Sequence, residues 1–179
     1  MKSTRPDSTL ANPLNGIPSK KLAHSTSQSG RQDLLQHHLQ DVASLASSYA
    51  EAFDASEEAM LAGLLHDLGK YGHLFQRRLE GKERGIDHWS AGAWVALMNY
   101  RNAGIAAALA IQGHHIGLQQ ASKDALGELN PEKLAHNHPL NLRLSEPNMN
   151  ELLRCLKEDG LVLPDPRYIP SSLYGGLTS

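Results

Sequence analysis

The stretch Ala59-Met-Leu-Ala-Gly-Leu-Leu-His-Asp-Leu-Gly-Lys70 decides the fold. From Ala59 to Leu65 it carries no charge and no strong polar group, and then His66 and Asp67 stand side by side. Just upstream, Asp54 and Glu57 have the spacing of a capping box, which predicts a helix from Ala55. Met60, Leu61, Leu64, Leu65 and Leu68 form one large apolar face of that helix. Ala59, Ala62, Gly63 and His66 form the opposite face, small enough for another backbone to approach. A helix that is apolar all round is a buried central helix. An unpartnered His and Asp buried at its end would cost several kcal/mol each, so both need partners, and a metal ion is one.

N-terminal to this stretch, Leu35, Leu39, Val42, Ala46, Tyr49 and Phe53 recur at helical spacing and predict an amphipathic helix over Gln32–Phe53. At about 100° per residue, His38 lies about 40° from the centre of that stripe and His37 about 140° away. His38 therefore points into the protein and His37 into water. C-terminal to it, Gly69 and Gly72 break the pattern, and Tyr71, Leu74, Phe75 and Leu79 predict a short helix. The basic-rich run Arg77–Arg84 reads equally as a solvated face or a phosphate-binding rim. His73, at the loop–helix junction, is a weak candidate for a ligand. Asp87 is the expected N-cap of the next helix, with His88 in its first turn and Trp94, Val95, Leu97 and Met98 as its packing surface. A further buried helix, Ala103–Gly113, ends in His114-His115, and packing alone cannot cheaply satisfy both imidazoles.

Beyond Leu118 the pattern predicts short helices at 122–129 and 131–136, the second opened by Pro131. His136 and His138 are expected to face solvent. Met149–Asp159 reads as one more helix, ended by Gly160, and the last twenty residues as irregular chain. Residues 1–30 lack periodicity and read as an N-terminal arm, in which His24 is expected to be exposed or capping rather than a ligand. No strand signal, repeat or low-complexity block stands out. The expectation is an all-α helical bundle, a single domain over 31–179.

A chain of 179 residues is long enough for a real core. Its formal net charge of -2 excludes bulk electrostatic nucleic-acid binding, so such a partner must be held by local patches. The single Cys155 excludes an intramolecular disulfide and fits a reducing, cytoplasmic compartment. Nothing resembles a signal peptide or membrane span. Ten histidines are the compositional outlier.

Those that matter are His38, His66 with Asp67, His88, and His114-His115, each at or near the end of a separate predicted helix. Five inward-facing imidazoles with one carboxylate suit one or two divalent transition-metal ions, Mn, Fe, Co, Ni or Zn, better than Mg. Imidazole brings no negative charge, so Asp67 is the natural bridge between two ions. Two ions roughly 3.5–4 Å apart can clamp a phosphate, generate hydroxide and stabilise the leaving oxygen. Lys70, one turn beyond Asp67, could meet the charge developing on the phosphorane. It reads equally as a solvated cation near a helix C-terminus.

Residues 22 to about 118 resemble the HD nuclease domain of the CRISPR type I effector helicase–nuclease. The resemblance rests on Ala23-His-Ser25, His38-Leu-Gln-Asp-Val-Ala43, Leu61-Ala-Gly-Leu-Leu-His-Asp-Leu-Gly-Lys-Tyr71, Asp87-His-Trp-Ser-Ala-Gly-Ala93 and Gly113-His-His115. It implies an HD-domain bundle that cuts single-stranded DNA with divalent metals, partnered by a helicase domain or subunit and an RNA-guided surveillance complex. It also implies that His38, His66 and Asp67 hold one ion, and that His88, His114 and His115 hold the second beside the shared aspartate. The family completes its first site with an aspartate from a later helix, in a Leu-Val-Asp-Ala-Asp-like stretch. No such stretch stands here, and Asp159 and Asp165 lie in other contexts. No G-x-x-x-x-G-K-[ST] phosphate loop is present, so unwinding is expected of a partner. The alternatives are an HD-type nucleotide phosphohydrolase, which shares His38, His66 and Asp67 but does not require the His114-His115 pair, and a catalytically impaired HD module lacking its last carboxylate.

Overall fold

Leu35, Leu39 and Ala43 recur one helical turn apart and are all buried, which sets the inner edge of α1 (Leu35–Ala50). The structure, a computed structural model, describes residues 20–169. Helix α1 starts at Leu35 rather than Gln32 because Leu34 is extended and bridged antiparallel to Leu22. After Ala50 it tightens into a 3-10 turn over Glu51–Phe53. Its buried edge differs from the predicted stripe: Val42 and Ala46 are half-buried, and Tyr49 and Phe53 are 73% and 81% exposed. The partner helix α2 (Ser56–Leu65) causes this, because it returns antiparallel along the Leu35–Ala43 edge and leaves the 45–49–53 edge outward. Ser56 Oγ donates to the Ser47 carbonyl, Gly63 faces Ala43, and His66 reaches His38. The approach at Gly63 is so close that a Cβ there would stand 2.4 Å from Ala43 Cα.

The predicted capping box does not form. Asp54 adopts a left-handed conformation (φ 55°), its N–H bonds to the Glu51 carbonyl, and α2 begins at Ser56 without a side-chain cap. Otherwise α2 is the expected central helix, with Leu61, Gly63, Leu64 and Leu65 buried. It stops at Leu65, and Leu68–Tyr71 follow as a fully buried 3-10 turn. Then come α3 (His73–Leu79), β1 (Ile86–Asp87), α4 (Ser90–Tyr100), α5 (Ile105–Ile116), α6 (Lys123–Gly127), α7 (Pro131–His136), β2 (Arg143–Leu144) and α8 (Met149–Glu158).

The strands correct the expectation that none exist: β1 and β2 pair in parallel, Ile86 opposite Arg143 and Asp87 opposite Leu144. Two residues are too few to show alternation in a sequence. Because β1 takes Asp87, α4 opens at Ser90, and His88 precedes the helix instead of lying in its first turn. Helix α5 runs on past Gly113, so His114 and His115 sit in its last turn.

One core draws on α1, α2, α4, α5 and α8, so the described residues form an all-α domain apart from the two-residue ladder. Gly92 lets α4 cross α2, since a Cβ there would stand 1.8 Å from the Leu65 carbonyl oxygen. Residues 20–30 of the expected arm are docked at their start. Gln76 brackets the Leu22 backbone with two hydrogen bonds, and Ala23 is buried. The rest of that arm, residues 1–19, lies outside the described residues, as do residues 170–179 of the expected irregular end. Among the described residues, no helix is long and apolar enough to cross a membrane.

Candidate metal centre

Where α2 gives way to the 3-10 turn, the chain turns the Asp67 carboxylate inward, 4% exposed, with imidazoles on both of its oxygens. On the Oδ2 side, Nε2 of His38 and of His66 each stand 3.0 Å away, and these two nitrogens are 3.2 Å from one another. On the Oδ1 side, Nε2 of His88 lies at 3.4 Å and Nε2 of His114 at 3.8 Å. The His115 ring packs against those of His114 and His88, with centroids 4.0 and 4.6 Å apart. Two ligand sets therefore converge to within 4.8 Å: His38, His66 and Asp67, and Asp67, His114 and His115. His114 and His115 face the centre but are open to solvent, which corrects their expected burial and makes them its mouth.

The backbone fixes how these rings present themselves. Nδ1 of His66 donates to the Gly63 carbonyl at 2.8 Å, and Nδ1 of His114 donates to the Ile111 carbonyl at 2.5 Å. Each proton is thus on Nδ1, and Nε2 turns its lone pair toward Asp67. Two acceptors 3.0 Å apart, His66 Nε2 and Asp67 Oδ2, repel unless a cation lies beside them. A carbonyl-anchored imidazole facing a carboxylate is the arrangement that orients metal ligands. The residues present therefore fit divalent transition-metal ions.

One cation is already built in. Lys70 Nζ stands 2.8 Å from Asp67 Oδ2 and 5.5 Å above the Phe75 ring centre. Lys70 is 6% exposed, so the solvated reading does not hold. Gly69 makes this turn possible: its N–H donates to the His88 carbonyl at 3.0 Å, and a Cβ there would meet that oxygen at 2.6 Å.

Burial alone would raise the Asp67 carboxyl. The surrounding imidazoles, His114 first and then His38 and His66, outweigh it and hold the group far below the usual carboxylate range. Burial pushes His88 down to about 4, against the pull of Asp67. His115 is lowered as well, by burial first and then by His114. All three shifts favour the metal-ready protonation states, a carboxylate and neutral imidazoles.

His37 is exposed and His38 half-buried, as the helical phase required. The His24 side chain is 57% exposed, paired with Asp33 at 2.9 Å and edge-on to His38. His73 is exposed beside Glu146. Asp159 accepts from the Tyr71 hydroxyl and Asp165 from Arg167, so both late acids are engaged elsewhere. Residues of the run Arg77–Arg84 form exposed ion pairs, Arg77 with Glu83 and Lys82 with Glu80. His136 is exposed, but His138 is not: it is buried against Asp87, contrary to the expectation that both face water. Its partner lies 51 positions away, and no local pattern in a Pro-bounded loop could signal that pairing.

A groove of about 300 Å³, walled by Val42, Ala46, Ala59, Ala62 and Ala110, opens at His66 and His114. A model of the HD domain family matches residues 35–158, a span that contains every residue of the centre. Neither the curated proteins nor the solved structures gave a match.

Proposed function

The chain belongs to the HD domain family, whose members are typically metal-dependent hydrolases, and from that premise we propose that it hydrolyses phosphodiester bonds of single-stranded DNA. The observation that carries this reading is the Asp67 carboxylate, each of whose oxygens faces its own pair of imidazoles. A phosphomonoester site needs only the His38–His66–Asp67 half. The second half, with His88, His114 and His115, supports in-line displacement at a bridging phosphate.

When bound, the ions supply a hydroxide nucleophile and Lewis acidity at the phosphate. The residues divide the remaining work. His38, His66, His88, His114 and His115 would hold the ions, with Asp67 serving both halves. The carbonyls of Gly63 and Ile111 keep His66 and His114 in the tautomer that leaves Nε2 free. Lys70 pairs with Asp67 Oδ2 and adds its ammonium to the positive field that a phosphorane meets. His114 and His115 stand at the open side, where a strand can enter. The apolar groove beside them offers a surface for sugar and base edges with almost no polar group to read sequence.

The finer assignment rests on the ordered motifs from Ala23-His-Ser25 to Gly113-His-His115. It makes the chain the nuclease of a CRISPR interference assembly, fed with single-stranded DNA by a helicase domain or subunit and recruited by an RNA-guided surveillance complex. The protein is incubated with added Mn or Ni and either circular single-stranded DNA or free nucleotides. Cleavage of the circle without nucleotide dephosphorylation supports the nuclease. Dephosphorylation without cleavage transfers the site to the phosphohydrolase reading, and ion binding without either turnover to the impaired module.

A further inference from the structure

The His138 imidazole has no place in the chemistry described so far, yet it is among the most enclosed polar groups of the chain. Its side chain is 4% exposed and that of its partner, Asp87, 0%. The turn after α7 sets the ring: the Asn141 N–H closes onto the His138 carbonyl at 2.9 Å, and the Leu140 N–H donates to Nδ1 at 3.1 Å. An amide N–H can only donate, so Nδ1 accepts and the proton is on Nε2. That Nε2–H points at Asp87 Oδ2, 2.8 Å away. The other oxygen of Asp87 accepts the N–H groups of Trp89 and Ser90 at 2.9 and 3.0 Å.

The carboxylate thus ties down both ends of one short stretch, and between those ends is His88. The His88 ring reaches Asp67 Oδ1, and the Trp89 ring lies tilted against His115 at 4.3 Å between centroids. Two residues of the mouth side are therefore set by the orientation of one buried carboxylate. The ladder adds its own anchor, with the Ser145 N–H donating to the Asp87 carbonyl at 3.0 Å. It fixes the backbone of Asp87 but not its side chain. The torsion of the carboxylate is fixed by three donors, and only His138 comes from outside the stretch being positioned.

We infer that His138 is a positioning residue for the second half of the metal centre, acting through Asp87 on His88 and on the Trp89–His115 contact. The inference rests on the reading that His88, His114 and His115 hold an ion. Without the His138 donor, Oδ2 of a fully buried carboxylate loses its imidazole partner, and the group must turn to find another. Turning breaks the bonds to Trp89 and Ser90 and releases His88 from its approach to Asp67. The first half, on α1 and α2, makes no use of this device.

Two substitutions separate this role from a local one in the turn. In His138→Gln the amide nitrogen falls where Nε2 was and can still donate to Asp87, while the acceptor for Leu140 is lost. In His138→Asn the amide oxygen replaces Nδ1 for Leu140, but the side chain is too short for Asp87. Each full-length variant is titrated with Co(II) alone, and both dissociation constants are read by calorimetry and by the visible spectrum. The expected result is second-ion affinity at least ~10-fold weaker in His138→Asn and within ~3-fold of wild type in His138→Gln. The first ion is unaffected in both. The reverse order of the two variants assigns His138 to the turn and overturns the inference, as does equal weakening of both ions or no change in either. A wild-type chain that takes up no ion at the His88–His114–His115 half overturns the two-ion reading itself, and this inference with it.

Discussion

Nε2 of His38 stands 3.2 Å from Nε2 of His66, across the antiparallel pair of α1 and α2. Imidazole nitrogens come this close with a proton or a cation to share, since two lone pairs would otherwise face each other. His37, one residue earlier, is exposed on the far side of α1. His38→Ala is therefore expected to weaken the first ion by more than the roughly 10–100-fold that loss of an orienting partner costs. His37→Ala should leave it unchanged. Calorimetric metal titration of the two variants checks this, and equal losses would mean that α1 presents a different face.

Asp67 serves both halves, so Asp67→Ala and Asp67→Asn should each abolish cleavage and empty both sites. They should differ in stability. Removing the carboxylate strands Lys70, whose side chain is 8% exposed, and leaving a buried charge unpaired costs about 3 kcal/mol or more. Asn keeps an acceptor for the ammonium and should lose less. Adding Lys70→Met to Asp67→Ala should restore much of the melting temperature but none of the metal binding. Near-normal turnover in Asp67→Asn would remove the bridging role.

The order of helices was legible because apolar spacing marks them, and so was the placement of histidines at their ends. The edge of α1 was not. Tyr49 and Phe53 continue the predicted stripe in spacing, but what buries a stripe is the element beside it, and α2 covers only the Leu35–Ala43 edge. The β1–β2 ladder was invisible because its two residues per strand carry no period. His138 was misplaced for the related reason that a polar residue in a loop reads as solvated unless its distant partner is known.

His88 gives the metal-free protein an acid transition. Burial lowers it from the ordinary 6.5 to about 4, so the folded state binds fewer protons than the unfolded one between those values. Stability is full above pH 6.5 and falls as pH drops toward 4, by about 3 kcal/mol from this group. Asp67, held low in the folded state, adds a further loss as pH falls below its ordinary carboxylate value of 3.8. Thermal melts of the metal-free chain between pH 7.5 and 4 should show the first loss, and His88→Gln should flatten it. A wild-type profile flat across that range contradicts the buried neutral imidazole.

A glycine held against another segment's backbone should not tolerate a methyl group, whereas an open one should welcome it. Gly69→Ala places its Cβ 2.6 Å from the His88 carbonyl oxygen, backbone that cannot step aside without moving His88. Overpacking of this kind costs about 3 kcal/mol, and second-ion affinity should fall with it. Gly113→Ala, in α5, meets nothing within 4 Å and should raise stability by about 0.5–1 kcal/mol. Denaturant unfolding of both variants tests the contrast, and similar midpoints would show that the approach at Gly69 is looser than the structure has it.

The two halves of the centre should fill in order, the second before the first. On the Oδ2 side an ion has His38, His66 and an oxygen already shared with the Lys70 ammonium at 2.8 Å. On the Oδ1 side it has His114, His115 and the nearby His88, around an oxygen with no lysine beside it. Three-ligand sites completed by water do exist, but a competing cation and the lack of a second carboxylate both weaken the first. Asp159 and Asp165 offer no relief, because Tyr71 and Arg167 engage them. Cleavage, which needs both ions, should therefore require excess metal even though one ion is held at low concentration. It should also be weak on duplex DNA, since the sequence carries no G-x-x-x-x-G-K-[ST] phosphate loop of an unwinding motor. Stoichiometry and single-strand cleavage measured together across a Mn or Ni titration test this directly. The second equivalent of bound metal and the onset of cleavage should coincide. Two ions bound with equal affinity, or full activity at one ion per chain, would place the missing charge on a residue outside this set.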